Sequence, residues 1–152
     1  MDLDDILNSP FTFTKRKNFI ACDIRPLWKS CLVVLVLGIT GKENSASLKK
    51  IHTANWITKN HNHLTSFLIW AGKDDRKRPN VRLEPAIDRV INLLVSNGVA
   101  IKREGKISLT ELGVDLFNKL EEEGVYVHEK TSLAEAKKYL SEAAVDRLFE
   151  GV

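Results

Sequence analysis

Few side chains in this chain have the types and spacings that catalysis requires. Its four histidines are His52, His61, His63 and His128, and the one close pair, His61 with His63, has no cysteine or carboxylate at a spacing that closes a metal site. The carboxylates fall in solvated runs such as Asp4-Asp5 and Glu121 to Glu123, without the isolated apolar setting that raises a pKa for acid or base work. No glycine stands in a phosphate-cradling turn after a strand. Cys22 and Cys31 lack both zinc spacing and histidine neighbours, so buried, reduced thiols are expected. These patterns give no expected catalytic residue, metal, cofactor or small-molecule substrate. A nuclease site assembled from scattered carboxylates is the residual enzymatic alternative. What remains is the chemistry of guanidinium, ammonium and amide groups toward phosphates and base edges. The candidates for DNA contact are Arg76, Lys77, Arg78, Arg82, Arg89, Asn92, Lys102, Arg103 and Lys106.

Most of these residues depend on the stretch from Leu83 to Gly113 for their position. Leu83, Ile87, Val90, Ile91 and Leu94 recur at steps of three and four, which predicts a helix with Pro85 in its first turn and an end at Asn97-Gly98. Opposite that stripe lie Arg89 and Asn92, suited to base edges, with Glu84 and Asp88 on one flank where they would repel phosphates. Val99 and Ile101 then alternate with Ala100 and Lys102, Glu104-Gly105 supplies a two-residue turn, and Ile107 and Leu109 alternate with Lys106 and Ser108. That predicts a hairpin. Lys102, Arg103 and Lys106 cluster at its tip, where phosphate contact gives affinity without sequence information; a merely solvated tip is the competing reading. Thr110 is placed to cap a following helix in which Leu112, Leu116 and Leu120 repeat every four residues. Helix, hairpin, helix is the pattern of a wing. Arg76, Lys77, Arg78 and Arg82 belong to the polar loop opened by Gly72, which either touches phosphate or is simply solvated.

The preceding chain has to supply the rest of the core. Phe11-Thr12-Phe13-Thr14 reads as a short strand or arm, docked on a partner or covering the protein's own core. From Pro26 to Leu37 a helix closed by Gly38 is expected, although its three valines argue for a strand. As a helix it is apolar nearly all round, with Lys29 and Ser30 the polar exceptions, and so is buried on most sides. Residues 39 to 44 read as a loop, Ser45 or Ser47 as the cap of a helix running to Lys59, and Asn62 as the cap of a short helix with Leu64, Phe67, Leu68 and Ala71 on one side. Trp56, Ile69 and Trp70 are left over from those faces. With Phe11 and Phe13 they are the candidate protein interface, and closure of the domain's own core is the equal alternative. Beyond Gly124, Val125 to Val127 reads as a brief extended piece. Ser132 and Glu135 have the form of a capping box, opening a helical tail that breaks at Ser141.

A chain of 152 residues has room for one real core, and 43% hydrophobic with 28% charged residues excludes intrinsic disorder. The longest apolar run, Cys31 to Leu37, is well short of the roughly 18 residues that span a bilayer, and the opening MDLDDIL is unlike a signal peptide. A cytoplasmic protein without a membrane segment is expected. Net charge +3 conceals an asymmetry. Residues 1–110 hold 18 Lys and Arg against 10 Asp and Glu, a balance of +8, and residues 111–152 hold 5 against 10, a balance of −5. A basic body suits phosphate or an acidic partner, and an acidic tail suits a basic partner or shields the body from nonspecific nucleic acid.

The run GVAIKREGKISLTELGVDLFNKL resembles the wing and following helix of winged-helix domains, in which a Leu-Thr-x-x-Gly sequence, here Leu109 to Gly113, commonly opens the helix after the second wing strand. The expected fold is therefore mainly α with a small β-hairpin: a winged helix-turn-helix domain over 26–124, an N-terminal arm over 1–25 and a C-terminal helical extension over 125–152. A wider resemblance, carried by RPLWKSCLVVLVLG, ASLKKIHTANWITKN and the wing, is to the small middle component of bacterial ABC-three-component systems, including Lamassu-type phage defence. It implies a noncatalytic adaptor joining an SMC-like or Rad50-like ATPase to an effector, often a nuclease. DNA contact is the expectation of the wing's own basic residues, and pairing with a second copy is implied by the likeness to winged-helix subunits of bacterial condensin-like complexes. Because winged helices serve regulators and assemblies alike, a DNA-binding transcriptional regulator is the alternative.

Overall fold

The computed structural model describes residues 25–72 and 78–150. Among them the chain is mainly helical, with seven helices and one three-stranded antiparallel sheet. Helix α1 (Pro26–Thr40) begins with proline in its first turn and is buried without a break from Lys29 to Leu37. Burial on every side explains why a valine-rich run is helical. The propensity penalty of a few β-branched residues is small beside the apolar area removed from water. Gly38 does not end α1. The helix runs through it, and the position is glycine because a side chain there would collide with the ring of Phe117, which packs on the bare backbone. The end comes at Thr40, whose hydroxyl donates to the Val36 carbonyl at 2.7 Å, and at Gly41, whose N–H bonds to Leu37 O.

Part of the expected 39–44 loop is thus helix, and the loop is followed by an unforeseen strand, β1 (Ser45–Ser47). Ser47 caps α2 (Leu48–Thr58), accepting from the Lys50 N–H at 3.1 Å. Helix α3 (His61–Gly72) is capped by Asn60 rather than Asn62, the Asn60 side chain accepting from the His63 N–H at 2.9 Å. Helix α4 (Pro85–Ser96) buries Ile87, Val90, Ile91 and Leu94 as the periodicity requires, whereas Leu83 precedes the helix and lies exposed. Strands β2 (Ala100–Arg103) and β3 (Lys106–Leu109) form the hairpin, with Glu104 and Gly105 both at positive φ, the geometry of a type I′ turn. β1 pairs with the other edge of β3, Ala46 opposite Ile107, giving the order β1-β3-β2. Thr110 caps α5 (Glu111–Glu122) by accepting from the Gly113 N–H.

The C-terminal segment is part of the same core. No extended piece occupies Val125 to Val127: Tyr126 turns the chain at φ 56° into α6 (Val127–Ala136), and its hydroxyl donates to Trp28 O at 2.8 Å. Ser132 is buried within α6 and caps nothing, since the chain is already helical five residues earlier. Ser141 does mark a break, as the cap of α7 (Glu142–Phe149). Leu133, Ala136, Leu140, Val145 and Leu148 join α1 and α2 in one apolar cluster.

Candidate nucleic-acid interface

The basic residues of the hairpin and the outward residues of α4 meet on one surface. Arg89 and Asn92 are three residues apart on the exposed face of α4, with exposed Asp88 beside them. The Lys102 ammonium donates to Asn92 Oδ1 at 3.0 Å, tying β2 to α4. Arg103 and Lys106 are paired across the end of the hairpin and are exposed. This cluster offers exposed cations at a position fixed by the sheet. The two loop candidates within the described residues lie apart from it. The Arg78 guanidinium donates to the Glu150 carbonyl, and Arg82 lines a concavity of about 650 Å³ with Trp56, His63 and Leu83. Arg76 and Lys77 lie outside the described residues, as do Phe11, Phe13 and Cys22.

Of the candidate interface residues, Trp56 and Trp70 are both buried, and their rings make contacts within the chain. Trp56 stacks on His63 with ring centroids 3.9 Å apart and an interplanar angle of 6°, and the His63 ring donates through Nδ1 to the Trp56 carbonyl at 2.6 Å. Trp70 is 3% exposed, packs against Phe67 and receives the Arg147 guanidinium over its ring at 5.2 Å. Of the three, only Ile69 is exposed. The wide apolar arc of α2 is covered by α6 and α7, the segment set apart on sequence grounds.

One constellation had no warning in the sequence beyond an isolated lysine on an apolar helix. Lys29 is 2% exposed, and its ammonium donates to Asn55 Oδ1 at 3.3 Å and to Glu84 Oε2 at 3.0 Å. The other Glu84 oxygen pairs with Lys59. Glu84 also donates its backbone N–H to His52 Nδ1 at 3.2 Å, and His52 Nε2 lies 3.5 Å from Asp88 Oδ1. An imidazole that accepts at Nδ1 carries its proton on Nε2 and is neutral. Burial holds the His52 pKa below the usual histidine range, against the pull of Asp88. Together these groups latch the start of α4 to α1 and α2, and so set the pose of Arg89 and Asn92. Burial also pushes the Cys31 thiol up to about 11, opposed by its hydrogen bond with Tyr126, so it stays protonated.

Among the described residues no group of three or more His, Cys, Asp or Glu is placed to hold a metal ion, and no helix is long and apolar enough to cross a membrane. Comparison of the chain with protein-family models, with curated proteins and with solved structures found no match in any of the three.

Proposed function

We propose that this chain is a noncatalytic winged-helix adaptor that links an SMC-like ATPase to an effector subunit in bacterial defence and touches DNA through its hairpin without reading sequence. The winged-helix part is supported by element order, with a short strand before α2, then α4, hairpin and helix, and by the sheet order β1-β3-β2. The adaptor part is supported by the resemblance carried by the stretches of α1 and α2. The observation that carries the mode of DNA contact is the Lys102–Asn92 hydrogen bond. Reading an adenine needs both the oxygen and the nitrogen of an asparagine amide, and here Lys102 already holds the amide through its oxygen and competes for that acceptor. Exposed Asp88 adds repulsion toward the backbone. Phosphate contact by Lys102, Arg103 and Lys106 needs neither base edge nor a free Asn92.

The test is purification of the tagged protein from its native host at moderate salt, with its companions identified by mass spectrometry. A large coiled-coil ATPase together with a second, effector-like protein is the expected recovery. Isolation as a lone species that selects one DNA sequence would replace this reading with the regulator. That alternative has one observation in its favour, the pairing of exposed Arg89 and Asn92 on one face of α4. The two readings separate on mutation. Arg103→Glu should weaken binding to all sequences alike and flatten the salt dependence, whereas under the regulator Arg89→Glu relaxes specificity.

A further inference from the structure

The three hairpin cations leave the sheet by two different faces. Residues directly opposite one another in an antiparallel sheet point the same way. Ala46, Ile107 and Lys102 form one such row, on the face where Lys102 reaches Asn92 of α4. The next row, Ser47, Lys106 and Arg103, therefore points to the opposite face, and Ser47 is also the cap of α2. That row brings two cations to the positive end of a helix dipole. Lys50, in the first turn of α2, is the residue that points to a ligand. It is 4% exposed, and among the described residues its ammonium makes no hydrogen bond and has no carboxylate at ion-pair distance. Among the same residues the one side-chain polar atom both sealed from solvent and unpartnered belongs to Asn55, so the Lys50 ammonium still reaches the surface. Helical side chains lean toward the N-terminus, and the charges acting on Lys50 agree with that direction. Burial lowers its pKa, Glu142 at the start of α7 opposes the fall, and Lys106 adds to it. Lys50 thus joins the row of Lys106 and Arg103. Glu142 does not pair with it, since that carboxylate accepts from the Ser47 N–H at 3.0 Å. With exposed Glu104 in the turn, two carboxylates face Lys50, Lys106 and Arg103, and Lys49, 5.7 Å over the Phe149 ring, is a fourth cation nearby. The balance is positive.

We propose that Lys50, Lys106 and Arg103, at the start of α2, bind a phosphate group on the face of the sheet turned away from Asn92. A tetrahedral phosphate offers acceptor oxygens in several directions, which suits donors arriving from a helix and two strands. A cationic ligand would be repelled, and a neutral one would leave the Lys50 charge uncompensated. A DNA backbone and a free phosphate share this chemistry. The first source rests on the DNA contact proposed above, and the second does not. As a backbone site it would let the hairpin hold DNA from both faces, Lys102 on one and Lys106 with Arg103 on the other, with no base read.

The experiment uses the full chain and two probes, inorganic phosphate at constant ionic strength and a DNA duplex of mixed sequence. The readouts are the backbone amide NMR signals of Lys49 and Lys50 and the affinity for the duplex. Phosphate should shift both signals saturably at millimolar concentration. Lys50→Met keeps the volume of the buried stem and should abolish that shift, whereas Lys138→Met, which removes an exposed lysine elsewhere, should leave it. If the ligand is a DNA backbone, Lys50→Met also weakens duplex binding about threefold or more and lowers the salt slope by about 0.9. If duplex affinity holds while the phosphate shift is lost, the ligand is a free phosphate. Should Lys50→Met fold poorly, Glu142→Gln keeps an acceptor for the Ser47 N–H, removes the competing charge and should tighten phosphate binding about twofold. Unchanged or weaker binding in that variant counts against the site. The proposal is overturned if phosphate shifts neither signal saturably and Lys50→Met leaves duplex affinity unchanged. Loss of duplex binding in Arg103→Glu would then still leave the DNA contact proposed above intact. A phosphate response in a chain that binds no duplex would instead keep this site and remove that contact.

Discussion

Lys29 shows how one polar residue can set the terms of an otherwise apolar helix. Its ammonium cannot be left alone in the core, so the sequence must deliver partners, and it does so from Asn55 and Glu84, 26 and 55 positions away. Such separations are invisible to any local pattern, which is why the latch could not be read while the apolar stripe beside it could. Lys29→Ala strands Asn55 and loosens Glu84, and should destabilise the fold by about 3 kcal/mol in urea unfolding. Lys29→Met, which keeps the volume, should cost clearly less. Equal losses in the two variants would mean that the lost charge and its hydrogen bonds, not the packing volume, are what count. His52 gives a pH dependence of defined sign. Its folded pKa is depressed below about 6.5, so as pH falls past that value the unfolded chain takes up a proton that the folded chain refuses. Stability is therefore full above pH ~6.5 and declines below it, by at most about 1.4 kcal/mol per unit, until the folded pKa is reached. His52→Asn keeps an acceptor toward the Glu84 N–H without titrating. Urea midpoints at a series of pH values should show the parent losing more on acidification than this variant, and parallel losses would remove His52 from the account.

Elements were legible where local chemistry decides them. Pro85 and the spacing of Ile87, Val90, Ile91 and Leu94 fix α4; Glu104-Gly105 can adopt the two positive φ values that a tight hairpin needs; Thr110 can cap α5. They were illegible where a distant neighbour decides. β1 is three residues long, too short for an alternation to register, and exists because β3 presents an edge to it. Gly38 has the look of a helix terminator but is a contact residue, present so that Phe117 can lie on the backbone of α1. Gly38→Ala should accordingly lower stability by about 2 kcal/mol, although the same change in an open helix would raise it. Adding Phe117→Leu should recover part of that loss in a double-mutant cycle. A Gly38→Ala protein as stable as the parent would show that the ring moves aside at no cost.

At the scale of the whole molecule, charge and composition suggested a basic body with an acidic appendage, and packing gives a different division. The surplus apolar arc of α2 and the ring of Trp70 looked like surface awaiting a partner because α6 and α7, which cover the arc and bring Arg147 over the ring, follow much later in the chain and carry little periodicity until placed against α1 and α2. Leu133, Leu140, Val145 and Leu148 are each buried there. At about 2 kcal/mol apiece their burial amounts to about 8 kcal/mol, as large as the whole net stability of many domains. A chain ending at Gly124 should therefore lose cooperative unfolding altogether instead of shedding a tail, with far-UV circular dichroism declining gradually on heating and amide NMR signals collapsing in dispersion. Leu133→Ala in the full chain provides the graded version, a loss of about 2–5 kcal/mol with cooperativity retained. If residues 1–124 melt cooperatively within a few degrees of the parent, α6 and α7 are an appendage after all. The exposed arc of α2 would then again be the natural place to look for a partner.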